Sequence, residues 1–330
     1  VVDIRFVGNT AAVLTSDGKV YLLDQVPAKG LKLKEHESFQ PLSLNHGIWI
    51  RQAQNLSSKR VTQLDAGIYH FLALTSEGEI YAWGCNGLGQ LGKSEPHIEI
   101  PAVITALQGM NVVKISAGPF HSLALTDQGE VYGWGDNRFG ALGLDFKKYP
   151  RVNQPQPLRD LSGRSVISLH SGWVGSFAIT SEGKVYTWGR NAYEVLKMSD
   201  DEGSFPPVEV PLLIGKKVID VSSSQSGGHA LILTREGEVY GFGTNRFGEL
   251  GDGTLSPDPG VTRAKGLPPV KSIQAGKCFS AAVDVSGATY WWGLNRFDSC
   301  ALNFVKDGWV IPAKVVLFVK KSSRSIDEIL

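Results

Sequence analysis

Three histidines, His70, His121 and His229, stand at one register of a repeating segment. A histidine beside a serine and an acid can activate a nucleophile. Other copies of the segment, however, carry Thr10, Gly175 or Phe279 at that register. A residue tied to a repeat position is expected to be structural, bonding backbone at the start of a strand, and no catalytic residue is expected. His36, His46, His97 and His170 lack metal-ligand spacing, and Cys85, Cys278 and Cys300 form no C-x-x-C pair. No metal or cofactor is therefore expected. No phosphate loop of the form G-x-x-x-x-G-K-[ST] occurs, so direct nucleotide binding is not expected either.

The residues best suited to contact a protein lie in loops. An asparagine recurs as Asn86, Asn137, Asn191, Asn245 and Asn295, where its amide can hold a loop through backbone bonds. Three copies continue with Arg-Phe: Asn137-Arg138-Phe139, Asn245-Arg246-Phe247 and Asn295-Arg296-Phe297. Arginine and aromatic residues are over-represented at binding hot spots, so these triplets, with Asp136, are candidate partner contacts. An Arg stacked on its own loop is the competing expectation. Two stretches depart from the repeat and are candidates for the same reason. Residues 25–60 include Trp49. Residues 198–205 carry Asp200, Asp201 and Glu202, just after Glu194-Val195-Leu196-Lys197, which stands where other copies have G-x-L-G.

The elements that hold these loops follow from the period. Tyr21, Tyr81, Tyr132, Tyr186, Tyr240 and Tyr290 align, with an aromatic residue two positions later in five of the six copies. Gly18, Gly78, Gly129, Gly183, Gly237 and Gly287 each precede the tyrosine by three. Successive tyrosines are 60, 51, 54, 54 and 50 residues apart. Each unit reads as four short strands, in the third copy near 101–107, 112–117, 121–126 and 130–135. The T-x-x-G between the last two is a hairpin signal, with glycine supplying positive φ. The strand before it is apolar on both faces, as in Leu123-Ala124-Leu125, which requires a sheet packed between neighbours. A fold of this kind is an all-β propeller of about six four-stranded blades, with seven possible. One domain spanning 1–330 is expected. Val2-Asp3-Ile4 aligns with the second strand of a unit, and residues 311–315 resemble a first strand. The ring is therefore expected to close by the C-terminal strand pairing with the N-terminal strands.

The charge balance, 33 basic against 32 acidic residues, gives no general attraction to nucleic acid or anionic membrane. No apolar run approaches membrane-spanning length. With its odd cysteine count the chain is expected to be intracellular, cytoplasmic or nuclear, and monomeric. The first residue is Val1, so trimmed termini that once held a targeting signal are also an expectation.

The segment A-G-P-F-H-S-L-A-L-T-D-Q-G-E-V-Y-G-W-G-D-N-R-F-G-A-L-G at 117–143 closely resembles the repeats of the regulator of chromosome condensation family. Residues 66–92 and 229–251 match in the same way, and the resemblance covers essentially the whole chain. It implies a propeller, in that family usually of seven blades, where six units are counted here. It also implies a protein-binding function: guanine nucleotide exchange or activation of a Ran-like small GTPase, or a non-catalytic adaptor role, for example in ubiquitin-ligase or trafficking complexes. Neither role involves covalent chemistry. Exchange would use acidic and aromatic loop residues, with Asp200, Asp201 and Glu202 the leading acids. Trp173 stands alone and lacks the Arg and His of the light-sensing Trp motif of a plant family member, which excludes photoreception.

Overall fold

The computed structural model describes residues 1–25, 48–173, 175–189, 205–257, 259–294 and 309–315. These form six four-stranded antiparallel sheets, or blades. Blade 1 comprises β1 (Asp3–Val7), β2 (Thr10–Leu14), β3 (Val20–Gln25) and β4 (Ile48–Gln52). Blade 2 comprises β5 (Val61–Ala66), β6 (His70–Thr75), β7 (Ile80–Cys85) and β8 (His97–Val103). Blade 3 comprises β9 (Val112–Ala117), β10 (His121–Thr126), β11 (Val131–Asp136) and β12 (Arg151–Pro157). Blade 4 comprises β13 (Val166–Ser171), β14 (Ser176–Thr180), β15 (Val185–Trp188) and β16 (Val208–Glu209). Blade 5 comprises β17 (Val218–Ser223), β18 (His229–Thr234), β19 (Val239–Gly243) and β20 (Thr262–Arg263). Blade 6 comprises β21 (Val270–Ala275), β22 (Phe279–Asp284), β23 (Thr289–Gly293) and β24 (Trp309–Val315).

The second strands of blades 2 to 5 are buried along their whole length, as their two-sided apolar pattern requires. The T-x-x-G turns form as expected: Gly129 has φ +77 and its N–H donates to the Thr126 carbonyl at 3.0 Å. The first strands of all six blades face one central polar cavity of about 480 Å³, reached by Arg5, Asp65, Lys114, His170, Asp220 and Gln274. Four short 3-10 turns follow fourth strands and bury Leu56, Leu107, Leu161 and Leu213.

Two expectations about strand pairing are corrected. The stretch near 101–107 does not open its unit. β8 pairs with β7, so it completes the preceding blade. The repeat is cyclic in sequence, and nothing in its period marks where a blade starts. The second correction follows from the first. β24 pairs with β23, Gly293 opposite Trp309 and Tyr290 opposite Lys314, and so is the fourth strand of blade 6. β1 pairs with β2 as the first strand of blade 1. Among the described residues the C-terminal strand does not pair with the N-terminal strands, and every blade is one contiguous piece of chain.

Candidate protein-binding face

The histidine register clamps three junctions, those between blades 2 and 3, 3 and 4, and 5 and 6. His70 Nε2 lies 2.9 Å from Ser122 Oγ of the next blade. The serine donates its only proton to the Gln90 carbonyl at 2.8 Å, so the imidazole N–H must donate to the serine. Trp134 Nε1 donates to the same carbonyl at 2.9 Å. His121, Ser176 and Trp188 repeat the unit around the Ala141 carbonyl. His229, Ser280 and Trp292 repeat it around the Glu249 carbonyl. Burial pushes the pKa of His70 down to about 3 and those of His121 and His229 down to about 4. A neutral imidazole, already committed across a junction, is a structural clamp and not a base for catalysis. The expected bond from histidine to backbone is replaced by one to the neighbouring blade's serine.

The asparagine register is likewise structural. Asn137 is fully buried; its amide donates to Leu144 and Tyr149 carbonyls and accepts from Leu142 N. Asn245 is also buried, donates to the Thr254 carbonyl and accepts from Leu250 N. Both amides are spent inside their loops and present nothing to a partner. Asp136 is buried too. It accepts two bonds from the Arg138 guanidinium, Nε at 2.9 Å and Nη2 at 2.8 Å, and a third from Arg138 N at 3.0 Å. Arg138 and Arg246 are exposed, Phe139 is exposed and Phe247 half-buried. Trp49 lies in β4 opposite Asp24. Asp200, Asp201, Glu202, Asn295, Arg296 and Phe297 lie outside the described residues.

The feature that the sequence reading missed sits in the loops between first and second strands. On blades 2, 3 and 4 these loops are tipped by Tyr69, Phe120 and Trp173. Tyr69 and Trp173 are 51% and 47% exposed, and Tyr69 leans on Phe120 with ring centroids 6.0 Å apart. Phe139, 55% exposed, joins them from the loop after β11. Phe120, Phe139 and Trp173 surround a recess of about 160 Å³ between blades 3 and 4. The corresponding tips of blades 1, 5 and 6 are Asn9, Gly228 and Cys278, so the aromatic arc occupies one side of the ring. The signal was an aromatic residue one or two positions before the histidine register in three successive units. Among the described residues no group of three or more His, Cys, Asp or Glu could hold a metal ion, and no helix is long and apolar enough to cross a membrane.

The profile of the RCC1-like domain matches residues 89–329, and that of the regulator of chromosome condensation (RCC1) repeat matches residues 61–90. The chain belongs to the RCC1-like domain family. Among curated relatives, this RCC1-like chain is 33% identical to mouse E3 ubiquitin-protein ligase HERC2 over 73% of its length and 5% of the ligase. It is 36% identical to the human probable E3 ubiquitin-protein ligase HERC6, covering 74% of this chain and 24% of that protein. Similarity to the ultraviolet-B receptor UVR8 of Arabidopsis thaliana is 32% over 64% of this chain and 45% of the receptor. The chain thus spans less than half the length of each of these relatives. Among solved structures, Prp20p of Saccharomyces cerevisiae superposes with a TM-score of 0.75 at 24% identity, covering 96% of this chain and 77% of Prp20p. Human WBSCR16 gives 0.74 at 22%, covering 96% and 83%. These likenesses show the propeller fold.

Proposed function

We propose that this RCC1-like chain is a non-catalytic protein-docking domain that holds its partner on the aromatic arc of blades 2 to 4. The observation that carries the reading is the exposure of Tyr69, Phe139 and Trp173 together on one side of the ring. A cluster of water-facing aromatic side chains matches the anchor composition of protein interfaces. The test is capture of partner proteins by the purified chain and by a Tyr69→Ser/Trp173→Ser variant of equal thermal stability. Loss of capture by the variant is expected; equal capture by both proteins overturns the reading.

Nucleotide exchange on a Ran-like small GTPase is the second reading, and it rests on family resemblance. An exchange factor favours the nucleotide-free GTPase, and the family resemblance implies acidic loop residues acting on its bound metal ion and switch segments. Asp136 is not free to act so, because Arg138 takes both of its oxygens. The separating assay mixes catalytic amounts of this chain with Ran carrying a fluorescent nucleotide, followed by excess GTP. Docking alone predicts an unchanged release rate. Turnover-dependent release would establish exchange and move attention to Asp200, Asp201 and Glu202.

A further inference from the structure

The recess between blades 3 and 4 owes its existence to one small residue. Four positions after the loop asparagine, blade 2 carries Gln90 and blade 5 carries Glu249, both buried. Each folds back over its loop: Gln90 Oε1 accepts from Leu88 N at 2.9 Å, and Glu249 Oε2 accepts from Phe247 N at 2.8 Å. Blade 3 has Ala141 at this register. With no long side chain there, the space beside Phe139 stays open, and Trp173 walls it from blade 4.

The chemistry of the recess is apolar and electrically neutral. Its walls are Phe120, Phe139 and Trp173, and its base is Ala141 and Gly189. The two polar residues that reach it are already neutralised. Asp136 is compensated by Arg138 at 2.8 Å, and burial keeps His121 uncharged at neutral pH. A charged side chain entering would lose hydration without gaining an unpaired counter-charge. A cavity of roughly 150 Å³ lined by apolar groups accepts a ring the size of benzene, and this one is about 160 Å³. We infer that the recess seats one uncharged, bulky side chain, aromatic or branched aliphatic, projecting from an extended segment of the partner protein. This deepens the docking reading and rests on it: the arc supplies the contact area and the recess supplies the anchor that selects the partner.

Ala141→Gln is the natural test, because the same loop accepts a buried Gln or Glu in two other blades. The Ala141 carbonyl that binds Ser176 and Trp188 is untouched. A library of random peptides displayed on phage is panned on the wild-type protein, and enriched clones are re-measured on Ala141→Gln and on Tyr69→Ser. Expected are clones sharing one Phe, Trp, Leu or Ile. Replacing that residue with Ala, or Ala141 with Gln, should each weaken binding tenfold or more, with the melting temperature of the protein unchanged. Trp173→Ala, which removes an exposed wall, should reproduce the loss should Ala141→Gln fold poorly. No enriched clones, clones sharing a charged residue in place of an apolar one, or clones that bind Ala141→Gln as tightly as wild type each overturn the anchor. Clones lost on Tyr69→Ser but kept on Ala141→Gln preserve the docking face and sink the anchor alone. Clones kept on both sink the docking face as well.

Discussion

Two kinds of blade face coexist in this molecule. Between consecutive blades, first-strand residues pack on the blade before: Leu64, Ile115, Leu169, Val221 and Ile273 occupy one register and all are buried. Ile4 holds the same register in blade 1 and is 38% exposed, while Phe6, two residues on, is 69% exposed. The opposite end of the blade series matches. Ala281, Val283, Thr289 and Trp291 of blade 6 are half-buried where their counterparts in blade 1, Ala12, Leu14, Val20 and Leu22, are buried. The clamp is absent there, as it is between blades 1 and 2 and between blades 4 and 5: Phe279 stands in the histidine register, stacked on Trp291 at 5.2 Å, and Ala11 stands in the serine register. Similar residue types thus end up buried or wet according to whether a neighbouring sheet covers them. Burial belongs to the junction, and the strand's own composition does not decide it.

The largest expected effect pits the two faces against each other with one chemistry. Ile115→Ala should cost about 2–5 kcal/mol in urea unfolding, the range for emptying a packed site. Ile4→Ala should cost under about 1 kcal/mol, as surface changes do. Equal losses would erase the distinction. Next, Ser122→Ala leaves the buried His70 N–H without its acceptor and should cost about 1–3 kcal/mol. Adding His70→Phe, which removes the orphaned N–H and keeps a ring in its place, should recover part of that loss; a strictly additive double variant would show that the clamp is not a coupled unit.

Acid should act on the clamped junctions selectively. The folded pKa values of His70, His121 and His229, about 3 to 4, lie below the unfolded value of about 6.5. The unfolded chain therefore binds more protons between these limits. Stability is intact above pH 6.5 and falls as pH drops below it, by on the order of 1 kcal/mol per histidine at one unit lower. His170, lowered to about 3 by burial and Lys114, adds to the same trend. The raised carboxyls of Asp65 and Asp220 oppose it where they titrate. Comparing the protein with the His70→Phe/Ser122→Ala variant at pH 7.5 and 5.5 isolates one clamp. A stability difference that does not change with pH would remove the histidine from this account. The smallest effect expected is from Phe6→Ser at the uncovered face: unfolding free energy unchanged within about 0.5 kcal/mol.

The propeller could be read from the sequence because its period fixes six tyrosines and six turn glycines in register. Blade phase could not, because a cyclic repeat carries no origin. His97–Val103 could be assigned to either neighbour until its ladder with Ile80–Cys85 was seen. Loop triplets drew attention to Asn137 and Asn245, whose side chains turn inward to close their own loops. Repetition there marked structure, and only Phe139 of the first triplet reaches the exposed arc. Tyr69 and Phe120 were hidden inside the motif, since a varied position beside repeated ones attracts no notice, and Trp173 was weighed only for light sensing. The opening at Ala141 needed the third dimension, because only the folded loop shows what Gln90 and Glu249 cover.

That each blade is one contiguous stretch of chain has a consequence for how the protein is made. Every ladder joins strands adjacent in sequence, so a sheet can zip up as soon as its own fourth strand has left the ribosome. Synthesis would lay the blades down one after another, each new sheet finding the apolar flank of its predecessor already waiting.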